Sequence, residues 1–259
     1  MIIESKDNKK IKYLNKLRTN KFMNEEKKFV VEGMHLVNEA KKSGLLLETY
    51  STSSCDFGVV NNVVSKSVMD YISTLPSKTD VIGIVKFIKE DLTLGDKIII
   101  LDDVQDPGNL GTIIRSAKAF NIDTVVLSLG CVKKYNEKVV RAAQGMLFKV
   151  NVVTKDLKYF IPYLKENGYS VYGTCVTNGT DISTLKKNKK LAVVMGNEGQ
   201  GISYDIKKEL DKNVYINMND DCESLNVAVA SSIIMYEMKV KLFLLDGRDK
   251  IWIIYILEN

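Results

Sequence analysis

The chain has 259 residues, of which 45% are hydrophobic and 27% charged, and its formal net charge is +5. No apolar run approaches the roughly 18 residues that a membrane-spanning helix needs, and no basic leader with an apolar stretch opens the sequence. The four cysteines are scattered without Cys-x2-Cys spacing, so neither a zinc site nor a disulfide framework is indicated. We therefore expect a cytoplasmic protein with no metal and no membrane segment.

The length of the chain predicts two domains, and its charge distribution is compatible with a polyanionic partner. A chain of this length and hydrophobic content buries one large core or two modest ones, and two domains is the better match. Residues 1–43 hold 11 lysines and arginines against 6 acidic residues, whereas the rest of the chain is balanced. A basic segment on a neutral body is typical of polyanion binding, but a solvated helix surface explains it equally well.

Residues 1–94 are expected to form a small α/β domain. Apolar residues at Ile11, Leu14 and Leu17 have helical spacing within a basic stretch at 4–22. Short strands and helices then alternate through 28–33, 34–42, 46–49, 62–64, 68–73 and 81–86. A polar, turn-rich stretch at 90–96 indicates a linker. We place the domain boundary near Leu94, with a second domain over 95–259.

The second domain alternates predicted strands and helices. The strand patterns lie at 98–101, 124–129, 149–153, 170–174, 191–195 and 214–218. The helical patterns lie at 109–120, 137–146, 157–167, 204–210 and 223–244. This alternation predicts an α/β fold with a mostly parallel sheet covered by helices on both faces.

Three segments place polar or glycine-rich residues directly after a predicted strand. They are Asn109-x-Gly111-x3-Arg115, Gly196-Asn-Glu-Gly-x-Gly201 and Glu223-Ser-Leu-Asn-Val-Ala228. Strand ends are the usual ligand sites of open α/β sheets. The third segment opens a helix, whose unpaired N–H groups suit a ligand with a carboxylate or ring acceptors.

Taken in this order, the three motifs resemble those of the SpoU/TrmH family of RNA ribose 2′-O-methyltransferases. Residues 135–148 also resemble the family's region between the first two motifs. The likeness covers residues 95–240 closely and residues 1–90 loosely. It implies transfer of a methyl group from S-adenosylmethionine to RNA. The basic extension favours ribosomal RNA, with 23S RNA as the expected substrate and transfer RNA as the alternative.

The resemblance also implies an architecture. Residues 1–94 would form an RNA substrate-binding domain with a fold akin to that of a ribosomal RNA-binding protein. Residues 95–259 would form a methyltransferase domain of the SPOUT type with a C-terminal trefoil knot, an exception to the rule that chains are not knotted. The family further implies a homodimer in which helices of the knotted domain pack across a two-fold axis.

Five residues are the candidates for catalysis. The family's matching arginine activates the 2′-hydroxyl, so Arg115 is expected to bind phosphate and ribose and to stabilise a developing alkoxide, since a guanidinium keeps its proton. Asn109 is expected to cap its helix, to fix Arg115 or the substrate, or both. Glu198 would orient Arg115 of the same or a neighbouring subunit, or stabilise its own loop. Ser224 and Asn226 are expected to be helix caps and active-site groups at once.

Family members bind S-adenosylmethionine mostly through backbone groups of the knot. The matching positions and their neighbours are Gly196, Ile216, Leu225, Thr174, Asn197, Gly199, Met218 and Asn226. Glycines in such a loop let the main chain approach the ligand closely.

Other functions fit the sequence less well. The glycine loop is not followed by Lys-Ser/Thr, as a nucleoside triphosphate site requires, and it lacks the Gly-x-Gly-x2-Gly order of dinucleotide sites. A non-catalytic RNA-binding protein that retains the fold is the remaining rival, but all five candidate catalytic residues are present.

For three features, the sequence is compatible with more than one role. His35, the only histidine, is a surface or packing residue or an RNA contact. Lys186, Lys187, Lys189 and Lys190 guide RNA phosphates or belong to a solvated loop. The uncharged run at 251–257 is expected to form an extra strand or to pack on a partner subunit, with a disordered tail as the other option.

Overall fold

The computed structural model describes residues 2–91, 93–176, 179–187, 189–219 and 221–239, without the side chains of residues 184, 186 and 187. The predicted tail at 251–257 and the side chains of Lys186 and Lys187 therefore lie outside the described part. Within it, no helix is long and apolar enough to cross a membrane.

The N-terminal part is built on a four-stranded mixed sheet. Its helices are α1 (Lys9–Leu17), α2 (Asn20–Glu26), α3 (Met34–Lys42) and α4 (Lys66–Ile72), and its strands are β1 (Lys28–Glu32), β2 (Leu46–Ser51), β3 (Val60–Val63) and β4 (Val81–Lys86). The strand order is β1-β4-β2-β3, in which β4 runs antiparallel to both neighbours and β2 runs parallel to β3. The predicted α/β character of this part is confirmed.

The predicted helix at 4–22 is in fact two helices. Ile11, Leu14 and Leu17 are buried on one face of α1, as their spacing indicated. The chain then becomes extended at Thr19, which precedes α2, so the two helices are separate. Arg18 ends α1, and its side chain forms ion pairs with Glu32 and Glu137.

The C-terminal part is built on a seven-stranded sheet. Its strands are β5 (Lys97–Leu101), β6 (Thr124–Leu127), β7 (Asn151–Thr154), β8 (Ser170–Thr174), β9 (Thr180–Asp181), β10 (Leu191–Met195) and β11 (Lys212–Tyr215). Its α-helices are α5 (Pro107–Ala119), α6 (Glu137–Ala142), α7 (Leu157–Glu166), α8 (Tyr204–Lys207) and α9 (Val227–Met238), with 3-10 helices at Met146–Phe148 and Ile182–Lys187. The strand order is β7-β6-β5-β10-β8-β11-β9, and every described pair is parallel.

Both faces of this sheet are covered, as the alternation of elements predicted. In β5, Ile99 and Leu101 belong to one hydrophobic cluster, whereas Ile98 and Ile100 belong to the cluster on the opposite face. All four side chains are fully buried. A continuous apolar strand is therefore needed here, because neither face meets solvent.

Several predicted elements end or begin elsewhere than expected, and three of these differences affect the site or the packing around it. The predicted helix at 137–146 stops at Ala142, because Gln144 and Gly145 have φ values of 48° and 80°. The predicted strand at 214–218 is β11, which ends at Tyr215, so Ile216 and Met218 leave the sheet. The last helix begins at Val227 rather than at residue 223, because Asn226 caps it.

The two sheets are joined by a packed interface. The ring of Tyr135, from the loop before α6, stacks on Phe29 and Phe87 at centroid distances of 4.6 and 4.0 Å. One hydrophobic cluster contains residues from both parts of the chain. The domain boundary near Leu94 thus stays a prediction, and so does the knot, since strand order alone does not define how the chain threads.

Candidate active site

A cavity of about 530 Å³ lies at the carboxyl ends of β8 and β10, next to the chain that leads from β11 into α9. Its volume falls within the range of about 300–1,000 Å³ that is usual for small-molecule sites. Val214, Ala230 and Ile234 give it an apolar wall, while the loop after β10 supplies backbone polar groups. Apolar walls with a few fixed polar groups suit a nucleoside-like ligand.

All eight residues predicted to hold the donor line this cavity. They are Thr174, Gly196, Asn197, Gly199, Ile216, Met218, Leu225 and Asn226. Because β11 ends at Tyr215, Ile216 and Met218 lie beyond its last paired residue, and both line the cavity.

The glycine-rich loop has a folded shape of its own. The backbones of Asn197 and Gly201 exchange two hydrogen bonds, of 3.0 and 2.9 Å. A Cβ at Gly196 would lie only 2.2 Å from the Gly201 carbonyl carbon, so no larger residue fits. The Asn197 side chain accepts bonds from the N–H groups of Gly199 and Gln200 and donates to the Asp103 carbonyl at 2.8 Å. Asn197 therefore shapes the loop with its side chain.

Asn226, Asn109 and Glu198 form a continuous chain of hydrogen bonds. The Asn226 amide Nδ2 donates to Asn109 Oδ1 at 3.0 Å, and Asn109 Nδ2 donates to Glu198 Oε1 at 3.0 Å. Asn226 also caps α9, since its Oδ1 accepts from the N–H groups of Ala228 and Val229. The predicted double use of Asn226 as cap and cavity residue is thus seen in the geometry. The three motifs meet through their own side chains.

The prediction that Asn109 caps its helix is wrong. Asp106 is the N-cap of α5, and its Oδ1 accepts from the Asn109 N–H at 2.7 Å. Pro107 takes the first helical position, where its missing N–H costs nothing. Asn109 lies inside the first turn, so its amide is free to bridge Glu198 and Asn226.

Arg115 is exposed on α5 and does not line the cavity of its own chain. It lies six residues beyond Asn109, about 9 Å along the helix axis. Among the described residues it has no hydrogen-bond or ion-pair partner, so Glu198 of the same chain does not orient it. The carboxylate is instead held by Asn109.

Ser224 lines the cavity but does not cap α9, because Asn226 fills that position. Its side chain is exposed and precedes the first helical residue by three positions. Ser224 is therefore placed as a cavity group only.

Sequence reasoning missed the acidic residues that follow β5. Asp102 is buried, and its Oδ2 accepts from the Ser203 N–H at 2.8 Å beyond the glycine loop. Asp103 has a positive φ of 60°, and its carbonyl accepts from Asn197. Consecutive aspartates directly after a buried apolar strand were the available signal, since such side chains commonly bond turn N–H groups.

The remaining candidates lie away from the cavity. Lys189 and Lys190 directly precede β10, so they are at the amino edge of the sheet, opposite the cavity. His35 is exposed, and its Nε2 lies 3.2 Å from the Gln144 carbonyl oxygen. This contact links the N-terminal part of the chain to the C-terminal part. For Lys190, this position favours the solvated-loop interpretation.

The cavity contains one thiol, that of Cys175. Burial raises its pKa, so it remains a protonated thiol at neutral pH and is a poor nucleophile. In the part of the chain that the structure describes, no three His, Cys, Asp or Glu residues are placed to hold a metal ion.

Comparisons with known proteins identify the same family that the three motifs resemble. Residues 96–236 match the model of the SpoU rRNA Methylase family, and residues 8–83 match the MRM3-like substrate binding domain. The chain is 35% identical over 244 residues to the 23S rRNA (guanosine(2553)-2'-O)-methyltransferase RlmP of Bacillus subtilis strain 168, covering 92% of this chain and 98% of that protein.

Solved structures agree in fold. The AdoMet-bound rRNA methyltransferase from Sinorhizobium meliloti has a TM-score of 0.83 and 26% identity, covering 92% of this chain and 97% of that one. A second structure of an rRNA methyltransferase from this organism has a TM-score of 0.82 and 25% identity, covering 92% and 96%. Because the SpoU rRNA Methylase model matches more than half of this chain, the chain belongs to the SpoU rRNA methylase family.

Proposed function

We propose that this chain transfers a methyl group from S-adenosylmethionine to a ribose 2′-hydroxyl of RNA, with 23S ribosomal RNA as its substrate. The observation that carries the proposal is the hydrogen-bonded chain from Asn226 through Asn109 to Glu198 at the rim of the cavity. It brings all three motifs of the family to one place. The relative RlmP, whose name specifies a 23S RNA 2'-O-methyltransferase, supports the choice of RNA.

The cavity fits S-adenosylmethionine. At Gly199 the main chain can approach a ligand closely, and Gly196, Ile216 and Leu225 border the same space. These four residues would hold the donor mainly through backbone groups, with Thr174, Asn197, Met218 and Asn226 around them. When bound, the donor supplies an electrophilic methyl group on a sulfonium sulfur.

The protein's part in the reaction is positioning and charge stabilisation. Such positioning supplies several kcal/mol, up to roughly 7–11 in favourable cases. Arg115 holds an RNA phosphate and stabilises the negative charge that develops on the 2′-oxygen. A guanidinium keeps its proton at neutral pH, so the hydroxyl proton passes to the phosphate oxygen that Arg115 holds. Asn109 and Glu198 fix the first turn of α5, and Ser224 borders the reacting ribose.

A homodimer is part of the proposal. Arg115 does not line its own chain's cavity, which supports action in the site of a second copy. The neighbouring helix α9 exposes Val229 and Tyr236, each about half accessible, and α5 and α9 are joined by a 2.8 Å bond between Ser116 and Ser232. This partly apolar face suits a symmetric interface.

The finer architecture is proposed with the function. The RNA substrate-binding domain would span 1–94 and the methyltransferase domain 95–259, with the chain knotted around the cavity. The match of residues 8–83 to a substrate binding domain supports this division. An enzyme that acts on ribosomal RNA would work in the cytoplasm, so a cytoplasmic location belongs to the proposal.

Calorimetric titration with S-adenosylmethionine, followed by transfer of labelled methyl groups, tests the proposal. Ribosomal and transfer RNA pools come from a strain that lacks the gene. We expect donor binding and labelling of 23S RNA, with the bond on the 3′ side of the label resistant to alkali. Labelling of transfer RNA alone would move the substrate to the alternative. Absence of donor binding at millimolar concentration would leave the non-catalytic RNA-binding rival.

A further inference from the structure

A second cavity, of about 440 Å³, lies between the two parts of the chain. One side is formed by the end of α2 and the segment after β4, including Lys27 and Lys89. The other side is formed by the loop after β6, including Lys133, Lys134 and Tyr135. The methyl-transfer site described above does not use any of these residues.

The charge in this cavity is strongly positive. Its lining contains four lysines and one acidic residue, Glu90. Lys134 is largely buried, and its Nζ binds Glu90 at 2.7 Å and the Val152 carbonyl at 2.6 Å. That pair neutralises the only carboxylate. Lys27, Lys89 and Lys133 are exposed, and none of the three has an ion-pair partner in the described part of the chain.

A ring contact and a hydrogen bond join the two walls of the cavity. The Tyr135 ring stacks on Phe87 at 4.0 Å, and its hydroxyl accepts from the Ile88 N–H at 2.9 Å. These contacts fix the segment that carries Lys89 against the loop that carries Lys133. A preformed site loses less entropy when it binds an anion.

Lys27 has an unusual backbone conformation for its residue type. It ends α2 with a φ of 54°, in the left-handed region that glycine adopts most readily. A side chain there carries a cost, and non-glycine residues in such conformations often have a functional reason. The Lys27 ammonium lies 5.8 Å from the centre of the Phe87 ring, at the edge of the cavity.

The cavity faces the same edge of the seven-stranded sheet as the donor site. Thr154, the last residue of β7, lines it, and Lys133 follows the carboxyl end of β6. The Val132 N–H donates to the Val104 carbonyl at 3.0 Å, which ties this loop to the loop that leads into α5. From β7 to β10 there are three strand spacings, about 14 Å. An RNA strand of several nucleotides spans that distance.

We propose that this cavity is a binding site for the phosphate backbone of the RNA substrate, a few nucleotides from the ribose that is methylated. The proposal rests on the proposed function for the identity of the RNA. Three ammonium groups that form no ion pair with a described residue match phosphodiester groups. Neutralisation of those phosphates releases counterions and makes binding depend on salt.

Fluorescence anisotropy with a labelled 23S RNA transcript, at two or more salt concentrations, tests this site. The variants are Lys27→Gly, Lys89→Ala, Lys133→Ala and the triple substitution. Each single change should raise the dissociation constant roughly three- to tenfold and reduce the salt slope by about 1. Lys27→Gly is informative because glycine suits the backbone there, so the thermal midpoint should not fall.

Lys190→Ala is the matched control, because it removes one exposed lysine at the opposite edge of the sheet. Donor binding, measured by calorimetry, should be the same in every variant. If the triple variant binds RNA within about twofold of Lys190→Ala, or if wild-type protein binds no RNA, the site is overturned. A wild type that binds RNA but transfers no methyl group overturns the proposed function instead, and the anisotropy comparison still decides the cavity.

Discussion

Asn226 and Asn109 are 117 positions apart, yet the amide nitrogen of one donates to the amide oxygen of the other at 3.0 Å. The bond joins the N-terminus of α9 to the first turn of α5. Because Asn109 also donates to Glu198, side-chain hydrogen bonds link α9, α5 and the glycine-rich loop. The donor cavity and the helix of Arg115 are thus held in one arrangement.

The two uses of Asn226 can be separated by substitution. Asn226→Asp keeps an oxygen that caps α9, but it removes the N–H donor to Asn109. We expect the free energy of unfolding to change by less than about 0.5 kcal/mol, whereas methyl transfer falls at least about tenfold. Denaturant unfolding and steady-state kinetics measure the two effects.

Asn226→Ala provides the comparison, since it removes the cap as well. It should lose about 1 kcal/mol of stability in addition to the loss of activity. Full activity in Asn226→Asp would show that the bond to Asn109 does not matter for the reaction.

Arg115→Ala should slow methyl transfer strongly while leaving the binding of S-adenosylmethionine nearly unchanged. Removal of a group that stabilises developing charge costs about 100- to 1,000-fold in kcat. The affinity for S-adenosylmethionine should stay within about twofold, because the proposed partners of Arg115 are the RNA phosphate and the 2′-oxygen rather than the donor. Single-turnover kinetics with saturating RNA measure the first effect and calorimetry the second.

Arg115→Lys keeps the charge but loses the planar fork, so it should restore only part of the activity. Mixed dimers of Arg115→Ala with a chain that cannot bind the donor test whether the arginine acts across the interface. Recovery of activity in such a mixture requires action in the partner's site, and no recovery requires action within one chain.

The strands and helices were largely predictable because their signal is local. Continuous apolar runs such as Ile98 to Leu101 predicted buried parallel strands, and the spacing of Ile11, Leu14 and Leu17 predicted a buried helix face. The donor-site residues came from motif resemblance, which carries positions from other chains. Their convergence on one cavity depended on the order of strands in the sheet, which no local pattern contains.

The errors concern contacts over long sequence separations. Asn109 followed a Pro-Gly turn, a pattern typical of a cap, but Asp106 took that role and left Asn109 to pair with Glu198, 89 positions away. Lys190 was near the second motif in sequence, but β10 carries the chain from one edge of the sheet to the other between them. Proximity in sequence to a strand does not say at which end of it a residue lies.

Gly111→Ala should destabilise the protein although alanine is the better helix former. A Cβ at Gly111 would lie 2.4 Å from the Ala142 Cβ and 2.8 Å from the Val139 carbonyl oxygen, where α5 meets α6. Overpacking of this kind costs about 1–3 kcal/mol, against a gain of about 1 kcal/mol in helix propensity. Denaturant unfolding should therefore show a lower midpoint.

The matched control is Thr112→Ala, at the next position of α5, where the side chain is exposed. It adds a good helix former without a clash and should leave stability unchanged or slightly higher. A Gly111→Ala variant that is as stable as this control would mean that α5 and α6 can separate without cost.

The contact between Glu39 of α3 and Lys149 should make stability depend on acid pH. Hydrogen bonds from Lys149 and Lys42 lower the pKa of Glu39 to about 2. A carboxyl group whose pKa is lower in the folded state stabilises the protein above its unfolded value, near 4.5, and loses this contribution as pH falls toward 2. Glu39→Gln should therefore lower the free energy of unfolding by about 1 kcal/mol at pH 7 and hardly at all near pH 2. The effect at pH 7 is small because both lysines are exposed to solvent, which weakens their interaction with Glu39.

Thermal unfolding of both proteins between pH 2 and pH 7 measures the difference. Glu166→Gln is the control, since this exposed carboxylate on α7 has no ion-pair partner among the residues that the structure describes, and its variant should follow the wild-type curve. The Glu39 bond joins the N-terminal part to the segment that precedes β7. A parallel decline of wild type and Glu39→Gln across the whole range would mean that this bond does not stabilise the packing of the two parts.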